Sequence, residues 1–387
     1  MTAITDVRLT SINTPRSSGV ICGHIIVELL TDDDGLIGIG EMSDLQHLPR
    51  YHVDVDELER TLREMLVGTD VRSINRVAAT LEENFPQAGY IYDKSRAIKC
   101  GVDMAMWDVA AKSVGLPVSD LLGGSVRDGV PIAYPIFRQQ GPQDVASSLE
   151  TVQTQLDRGQ HCFRVYVGRE LDSDERFLRE VRERFGDQIT IKSLDFSNML
   201  APKDAARFVD RVRDVGFDLV ESPAHSGDLD GLVEACRLIA EPVSEHVYGY
   251  DWALSLIQRR AVDALNVSVI AIGGITPVRR VFAIAEAAGI PCILGTTQEL
   301  SIGTAAAAHV AMATPAVSLP SDPIGPLLYT TDVVVEPVRY EDGMLRVPPG
   351  PGLGIQLSPE RLAAAAGPLS WSHTSVRSAQ DRTAGRS

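Results

Sequence analysis

The sequence predicts an α/β fold in which a parallel (β/α) barrel is joined to a smaller α+β domain. After "RDGVPIAYPIF", residues 127–137, short apolar runs alternate with helical segments in units of about 20 to 27 residues. Such repetition is typical of a parallel sheet, and units this short favour closure into a barrel over an open doubly wound sheet. No glycine-rich phosphate loop follows the first strands, which argues against a dinucleotide-binding or P-loop domain.

The first 125 residues predict the α+β domain. Residues 4 to 41 alternate between apolar and polar side chains as strands do, and "DDDG" supplies a turn. Residues 55 to 115 change to the helical spacing of apolar residues. The sequence therefore predicts a strand-then-helix domain over residues 1–125.

The barrel is predicted over residues 126–319. Its strand-like runs include "HCFRVYVG", "ITIKSLDFS", "FDLVESP", "EPVSEH", "DALNVSVIAIGG" and "PCILGTTQE". The strand-like, Pro/Gly-rich residues 320–366 are expected to return to the first domain. The small polar residues 367–387 are expected to form a disordered tail.

The composition and charge of the chain disfavour several classes of binding partner and location. The chain has 387 residues and a formal net charge of −16 without a basic run, which disfavours nucleic acid and anionic membranes. No apolar run reaches the ~20 residues of a membrane span, and the N-terminus lacks a secretory pattern. The five cysteines are scattered, as expected of reduced thiols. We therefore expect a cytoplasmic protein.

Three acids end successive barrel strands: Asp195, Glu221 and Glu245. Because barrel active sites lie at the carboxyl ends of strands, these carboxylates are expected to converge. They could not all stay ionised there without a cation, and oxygen ligands without cysteine suit Mg²⁺. The alternative is that the three acids cap helices or form salt bridges at the barrel mouth.

Arg164 and Tyr166 lie two residues apart on one predicted strand and so share a face, opposite Phe163, Val165 and Val167. One interpretation is a surface salt bridge beside an ordinary tyrosine. The other is a catalytic dyad. Arginine cannot give up its proton, whereas tyrosine, with a reference pKa of ~10, can. A guanidinium and a divalent cation both favour the phenolate, so Tyr166 is a candidate base.

Taken together, these motifs resemble the enolase superfamily in its mandelate racemase/muconate lactonising branch, over about residues 4 to 365. The matching segments are "VELLTDDDGLIGIGE", "KCGVDMAMWDVAAKSVGLPVSDLLGGSVRDGVPIAY", "SLDFSN", "LVESPAHSGDLDGL", "VSEHVYG", "IGGITPVRRVFAIAEAAGIP", "TQELSIGTAAAAHVA" and "DPIGPLLYTTDVVVEPVRYEDGMLRVPPGPGLG". The resemblance implies a (β/α)7β barrel under a capping domain built from the N-terminal segment and the C-terminal return. It also implies Mg²⁺ on Asp195, Glu221 and Glu245, a substrate carboxylate on that metal, and abstraction of the proton α to the carboxylate.

The departures from the family pattern concern its bases. Members normally carry a lysine base on the second barrel strand, often two as Lys-x-Lys, where this chain has Arg164 and Tyr166. The second lysine of muconate-type members, on strand six, is matched by Ala271, and the strand-six aspartate of racemases by Ser268. Either the protein is inactive or another group is the base. The Arg-x-Tyr pair resembles a small group of acid-sugar dehydratases, among them a galactarate dehydratase whose base is the tyrosine.

Further candidates surround this dyad. The general acid that would help β-hydroxide leave is His47, on a capping loop, or His246, which could instead be a metal ligand or lie beside the ligands. Tyr90 and Lys99 are candidates for binding the far carboxylate of a diacid. Thr297 is a candidate for contacting substrate hydroxyls.

We therefore expect a Mg²⁺-dependent acid-sugar dehydratase, a lyase that converts galactarate or a similar acid sugar into a 2-keto-3-deoxy acid. A racemase, epimerase or cycloisomerase of the same superfamily is the first alternative, although the sequence offers no lysine opposite Tyr166 as a second base. A catalytically silent relative that only binds metal is the other. The family also leads us to expect a homo-oligomer.

Overall fold

A computed structural model describes residues 2–43, 53–86 and 93–369 of the chain. The first domain begins with a three-stranded antiparallel sheet, β1 (Ile4–Pro15), β2 (Ile21–Thr31) and β3 (Ile37–Met42). It continues with helices α1 (Val55–Leu66), α2 (Ile74–Asn84) and α3 (Lys94–Ser113). The predicted strand-then-helix order is thus observed.

Glycines allow β3 and α3 to lie unusually close together. A Cβ atom at Gly40 would lie 1.9 Å from the carbonyl oxygen of Gly101, and one at Gly38 would lie 2.3 Å from that of Ala105. Only residues without a side chain fit such a backbone approach. The "GLIGIGE" pattern therefore fixes α3 against the sheet.

The second domain is a curled sheet of seven parallel strands that neighbour one another in sequence order. The strands are β5 (Tyr134–Ile136), β6 (Cys162–Tyr166), β7 (Thr190–Asp195), β8 (Leu219–Glu221), β9 (Val243–Val247), β10 (Ala264–Val267) and β11 (Cys292–Leu294). The helices of this region are α4 (Val118–Leu121), α5 (Asp144–Leu156), α6 (Leu171–Phe185), α7 (Pro202–Val212), α8 (Leu229–Leu238), α9 (Tyr250–Gln258), α10 (Val269–Ile272), α11 (Ile275–Ala288) and α12 (Ser301–Met312). The predicted α/β class with a curled parallel sheet is confirmed.

A segment without regular strand structure, residues 316–322, contacts both edges of this sheet. The backbone N–H of Cys292 donates to the carbonyl of Ala316, and that of Asp322 donates to Leu294. At the other edge, the N–H of Ala133 donates to the carbonyl of Ser321 at 2.8 Å. The regular strands stop short of a complete ring, and this edge-joining segment lies between their ends.

The C-terminal part returns to earlier elements. Strand β4 (Val130–Pro131) pairs with the hairpin β12 (Tyr340–Glu341) and β13 (Met344–Leu345), and α13 (Pro359–Ala365) follows. The N–H of Gly367 donates to Ser11 on β1, so residues at the start of the expected tail lie against the first domain. The rest of that tail, 370–387, lies outside the described residues. Among the helices described, none is long and apolar enough to cross a membrane.

Candidate active site

The strand register brings the predicted residues to neighbouring strand ends. Tyr166 on β6 is the pairing partner of Asp195 on β7, and Asp195 is the partner of Glu221 on β8. Glu221 in turn pairs with Ser244 on β9. The last residues of successive parallel strands therefore form one row at the carboxyl edge of the sheet, where barrel enzymes hold their active sites.

Asp195 and Glu221, the acid row, share one guanidinium. Nη2 of Arg164 lies 3.6 Å from Oδ2 of Asp195, and Nη1 lies 3.5 Å from Oε1 of Glu221. Burial and the charge of Glu221 raise the pKa of Asp195. Burial acts in the same direction on Glu221, but the charge of Arg164 and the contact with His246 outweigh it and hold the pKa of Glu221 well below its usual range. Asp195 therefore holds a proton more readily than Glu221 does.

A lysine that the sequence reasoning did not single out lies beneath these acids. Nζ of Lys192 lies 2.7 Å from Oδ1 and 2.9 Å from Oδ2 of Asp322, and Nη1 of Arg164 also lies 2.9 Å from Oδ2. Strand β7 carries an irregularity, since Ile191 pairs with Phe163 and Ser193 pairs with Arg164 while Lys192 is skipped. This bulge allows Lys192 to reach the same interior as Asp195, three positions on, which strict alternation forbids.

Glu245 is placed differently from the other two acids. Its Oε1 accepts hydrogen bonds from the Ser222 hydroxyl (2.9 Å) and the His246 N–H (2.7 Å), and its Oε2 accepts from Asn198 Nδ2 (2.8 Å). Asn198 and Ser222 follow β7 and β8 with positive φ values of 61° and 53°, a strained backbone that is typical of functional loops. The Glu245 carboxylate is therefore satisfied by neighbouring loops.

His246 faces the acid row instead. Its Nε2 lies 3.2 Å from Oε1 of Glu221. Adjacent strand residues point to opposite faces, so His246 and Glu245 cannot both face the interior in the same way. Burial lowers the pKa of His246, but the contact with Glu221 and the nearby carboxylates outweigh burial and raise it.

Tyr166 lies between aromatic and cationic groups. Its ring stacks on Phe137, with centroids 5.6 Å apart and an interplanar angle of 17°. The guanidinium carbons of Arg164 and Arg138 lie 4.5 and 5.1 Å from the centre of the ring. A small cavity next to the ring is lined by Arg164, Tyr166, Thr296, Gln298 and Asp322, among others. The two guanidinium groups thus pack against the aromatic ring of Tyr166 as cation–π partners.

The remaining sequence-predicted residues are not all brought to this point. Lys99 pairs with Glu82 at 2.6 Å and lines a separate cavity of about 740 Å³ with Arg96 and Tyr248. The Thr297 N–H donates to Glu299, whose pKa burial raises to about 7. His47 and Tyr90 lie outside the described residues.

The strand-six positions carry no base. The Ser268 hydroxyl accepts from the N–H of Ala271 and so caps α10, and both residues are buried. A second base opposite Tyr166 is therefore absent at these two positions.

The chemistry of the acid row fits a hard cation. Oε2 of Glu221 is buried without a hydrogen-bond partner, although buried carboxylate oxygens are nearly always paired. Across the described ranges, no three His, Cys, Asp or Glu side chains already converge as a complete set of ligands. Arg164 lies between the two nearest acids instead, so a bound cation and this guanidinium would share the same carboxylates.

The domain pair and the acid row define an enzyme of the enolase superfamily. A family model described as "Mandelate racemase / muconate lactonizing enzyme, N-terminal domain" matches residues 5–123. Another, "Enolase C-terminal domain-like", matches residues 147–361. The chain therefore belongs to the mandelate racemase/muconate lactonizing enzyme family, and Mg²⁺ is the metal of this family.

Individual proteins of this family are similar to the chain in sequence and in structure. The chain is 31% identical to muconate cycloisomerase 1 of Pseudomonas putida over 338 residues, which cover 85% of this chain and 87% of that protein. It is 27% identical to L-Ala-D/L-Glu epimerase of Bacillus subtilis, covering 87% and 90%. The crystal structure of 2-chloromuconate cycloisomerase from Rhodococcus opacus superposes with a TM-score of 0.83 at 27% identity, covering 95% and 100%. These relatives support the branch that the sequence indicated, but they do not support the finer resemblance to a galactarate dehydratase.

Proposed function

We propose that this protein is a Mg²⁺-dependent enzyme that uses Tyr166 as its base for proton transfer at the carbon next to a substrate carboxylate. The observation that carries the proposal is the position of Tyr166. It ends β6 beside Asp195 in the register, and two guanidinium groups flank its ring. Arg164 keeps its proton, so within the dyad the tyrosine is the group that can exchange one.

The proposed metal ligands include Asp195 and Glu221. For the third ligand the sequence predicted Glu245, but the three hydrogen bonds of its carboxylate and the orientation of His246 toward Glu221 favour His246. When bound, Mg²⁺ supplies positive charge that stabilises the negative charge developing on the substrate carboxylate.

The remaining roles in the proposed reaction belong to side chains of the protein. In β-elimination the Tyr166 phenolate takes the α-proton, whereas in cycloisomerisation the Tyr166 phenol gives a proton to the α-carbon as the bond between oxygen and the β-carbon forms. Arg164 and Arg138 stabilise the phenolate, which is the reactant in the first case and the product in the second. Phe137 covers one face of the ring and restricts its rotation. If His246 binds metal, it is not free to act as the acid. His47 then remains the candidate acid that the sequence suggested.

A single base restricts the reaction class. Epimerisation by proton exchange on opposite faces needs a second base, and Ala271 and Ser268 occupy the positions where the family places one. Cycloisomerisation and β-elimination need only one. In both, a proton is exchanged at the α-carbon while a bond between oxygen and the β-carbon forms or breaks.

We favour cycloisomerisation of an unsaturated dicarboxylate as the first candidate, because the named relatives include muconate and chloromuconate cycloisomerases. Dehydration of an acid sugar such as galactarate is the second candidate. The specific observation that favours it is the replacement of the family lysines by Arg164 and Tyr166. The expected homo-oligomer and cytoplasmic location stay predictions.

The test is a parallel assay of the purified protein with Mg²⁺. One set contains muconate and chloromuconates, read by loss of the conjugated-diene absorbance. The other contains C5 and C6 mono- and diacid sugars, read by 2-keto-3-deoxy acid formation. Tyr166→Phe is run beside Tyr250→Phe, a matched control on α9. Turnover that disappears only in Tyr166→Phe supports the proposal, and turnover that survives this change refutes the tyrosine base.

A further inference from the structure

Lys192 places a positive charge beneath the acid row, where it bonds both oxygens of Asp322. Its Nζ also lies 4.0 Å from Oε2 of Glu221, the oxygen without a hydrogen bond. Lys192 and Asp322 are 0% and 1% exposed, so solvent does not screen these charges. Neither residue belongs to the roles assigned above.

We propose that Lys192 is a positioning residue that sets the charge of the site, and thereby the attraction of the site for Mg²⁺ and for a substrate carboxylate. It would do so by weakening the attraction of the acid row for Mg²⁺ while strengthening the attraction of the loaded site for an organic anion. The proposal rests on the metal site proposed above and adds the electrostatic control of that site.

The charges of the buried groups support this role. Arg164 and Lys192 are the cations, and Asp195, Glu221 and Asp322 are the anions when ionised. Removing Lys192 makes the site more negative by one charge. That change strengthens the attraction of the site for Mg²⁺ and weakens the attraction of the loaded site for a substrate anion.

The bonds of Asp322 predict that removing Lys192 and removing Asp322 change Mg²⁺ affinity in opposite directions. It is anchored by its own N–H, which donates to Leu294, and it bonds Lys192 and Arg164 together. With Lys192 removed, Asp322 would hold Arg164 alone and draw it from Asp195 and Glu221. With Asp322 removed, both cations would turn toward those two acids. The two changes are therefore expected to move Mg²⁺ affinity in opposite directions.

The experiment is calorimetric titration of the metal-free protein with Mg²⁺. We expect Lys192→Met to bind Mg²⁺ about tenfold more tightly and Asp322→Asn about tenfold more weakly. The double variant should return to within about threefold of the wild type. Lys112→Met, which removes a lysine paired with Asp108 on α3, is the matched control and should leave Mg²⁺ affinity unchanged. In the Mg²⁺-loaded protein, Lys192→Met should weaken binding of malonate, an inert dicarboxylate probe.

The sign of the change separates this role from a merely structural one. A lysine that only supports packing would lose Mg²⁺ affinity on removal, and that result overturns the proposal, as does unchanged affinity. If Lys192→Met fails to fold, Asp322→Asn and the double variant decide together, because removing both partners of a buried ion pair is better tolerated. Asp322→Asn that does not weaken Mg²⁺ binding overturns the proposal. A double variant that departs from the wild-type Mg²⁺ affinity by more than about threefold overturns the proposal. Absence of Mg²⁺ binding by the wild type would instead refute the metal site itself.

Discussion

Nε2 of His246 lies 3.2 Å from Oε1 of Glu221, whereas the adjacent Glu245 turns its carboxylate to Ser222 and Asn198. This divergence of two neighbouring side chains is the main difference between the site as observed and the site expected from three successive acids. It follows from the alternation of side chains along β9.

The first prediction concerns this pair. His246→Ala should weaken binding of Mn²⁺, used as a spectroscopic substitute for Mg²⁺, by at least about tenfold, because it removes a ligand. Pulsed EPR of the Mn²⁺-loaded wild type should show a coupled nitrogen that is lost in His246→Ala. Glu245→Gln is the matched variant and should keep that signal. A nitrogen coupling absent from the wild type would return Glu245 to the ligand set.

The second prediction concerns Arg138, whose guanidinium carbon lies 5.1 Å from the centre of the Tyr166 ring. Arg138→Met should lower kcat about tenfold, because one of the two cations that favour the phenolate is lost. Mg²⁺ affinity should change little, since the metal ligands are untouched. Arg138→Lys should recover part of the activity. A kcat equal to that of the wild type in Arg138→Met would remove this residue from the mechanism.

The third prediction concerns Glu299, whose pKa burial raises to about 7 from an ordinary value of 4.5. The folded state therefore binds the proton more tightly than the unfolded chain does. The contribution of this group to the free energy of unfolding falls by about 3 kcal/mol as pH rises from about 4.5 to about 7. Glu299→Gln, which imitates the protonated form, should remove this fall. Urea unfolding of both proteins at pH 5 and pH 8 measures it, and an equal pH dependence would contradict it.

The fourth prediction concerns the link between the two domains. The buried carboxylate of Glu41, at the end of β3, accepts from the N–H groups of Leu300 (2.8 Å) and Gly303 (2.9 Å) at the start of α12. Glu41→Ala should lower the free energy of unfolding by about 3 kcal/mol, because those donors would stay buried without a partner. Glu28→Ala on β2, which removes an ion pair with the exposed Arg8, should cost less than about 1 kcal/mol. Equal losses in urea unfolding would argue against a domain link through Glu41.

The sequence alone was enough to predict the fold class and the position of Asp195 and Glu221 at neighbouring strand ends. Asp195 and Glu221 end strands whose apolar pattern is plain, and the carboxyl ends of parallel strands must meet at one edge. Arg164 and Tyr166 were equally readable, because a two-residue spacing fixes their common face.

The parts that escaped prediction depend on local irregularities. Lys192 reaches the site through a bulge, and no residue in "ITIKSLD" signals that bulge. The contacts of Glu245 with Ser222 and Asn198 depend on the positive φ angles of these two residues, which the sequence pattern does not signal. Arg138 follows β5, 26 positions before Arg164, and only the parallel pairing of β5 with β6 brings the two guanidinium groups to one ring.

The edge-joining segment, residues 316–322, links the closure of the sheet to the charges of the site. Asp322 belongs to the segment that fastens β11 to the start of the sheet, and it is the anion that occupies both Arg164 and Lys192. The segment that joins the two edges of the sheet therefore also supplies the carboxylate that holds Arg164 and Lys192. The buried charges at this end of the sheet are complete only when residues 316–322 are in place.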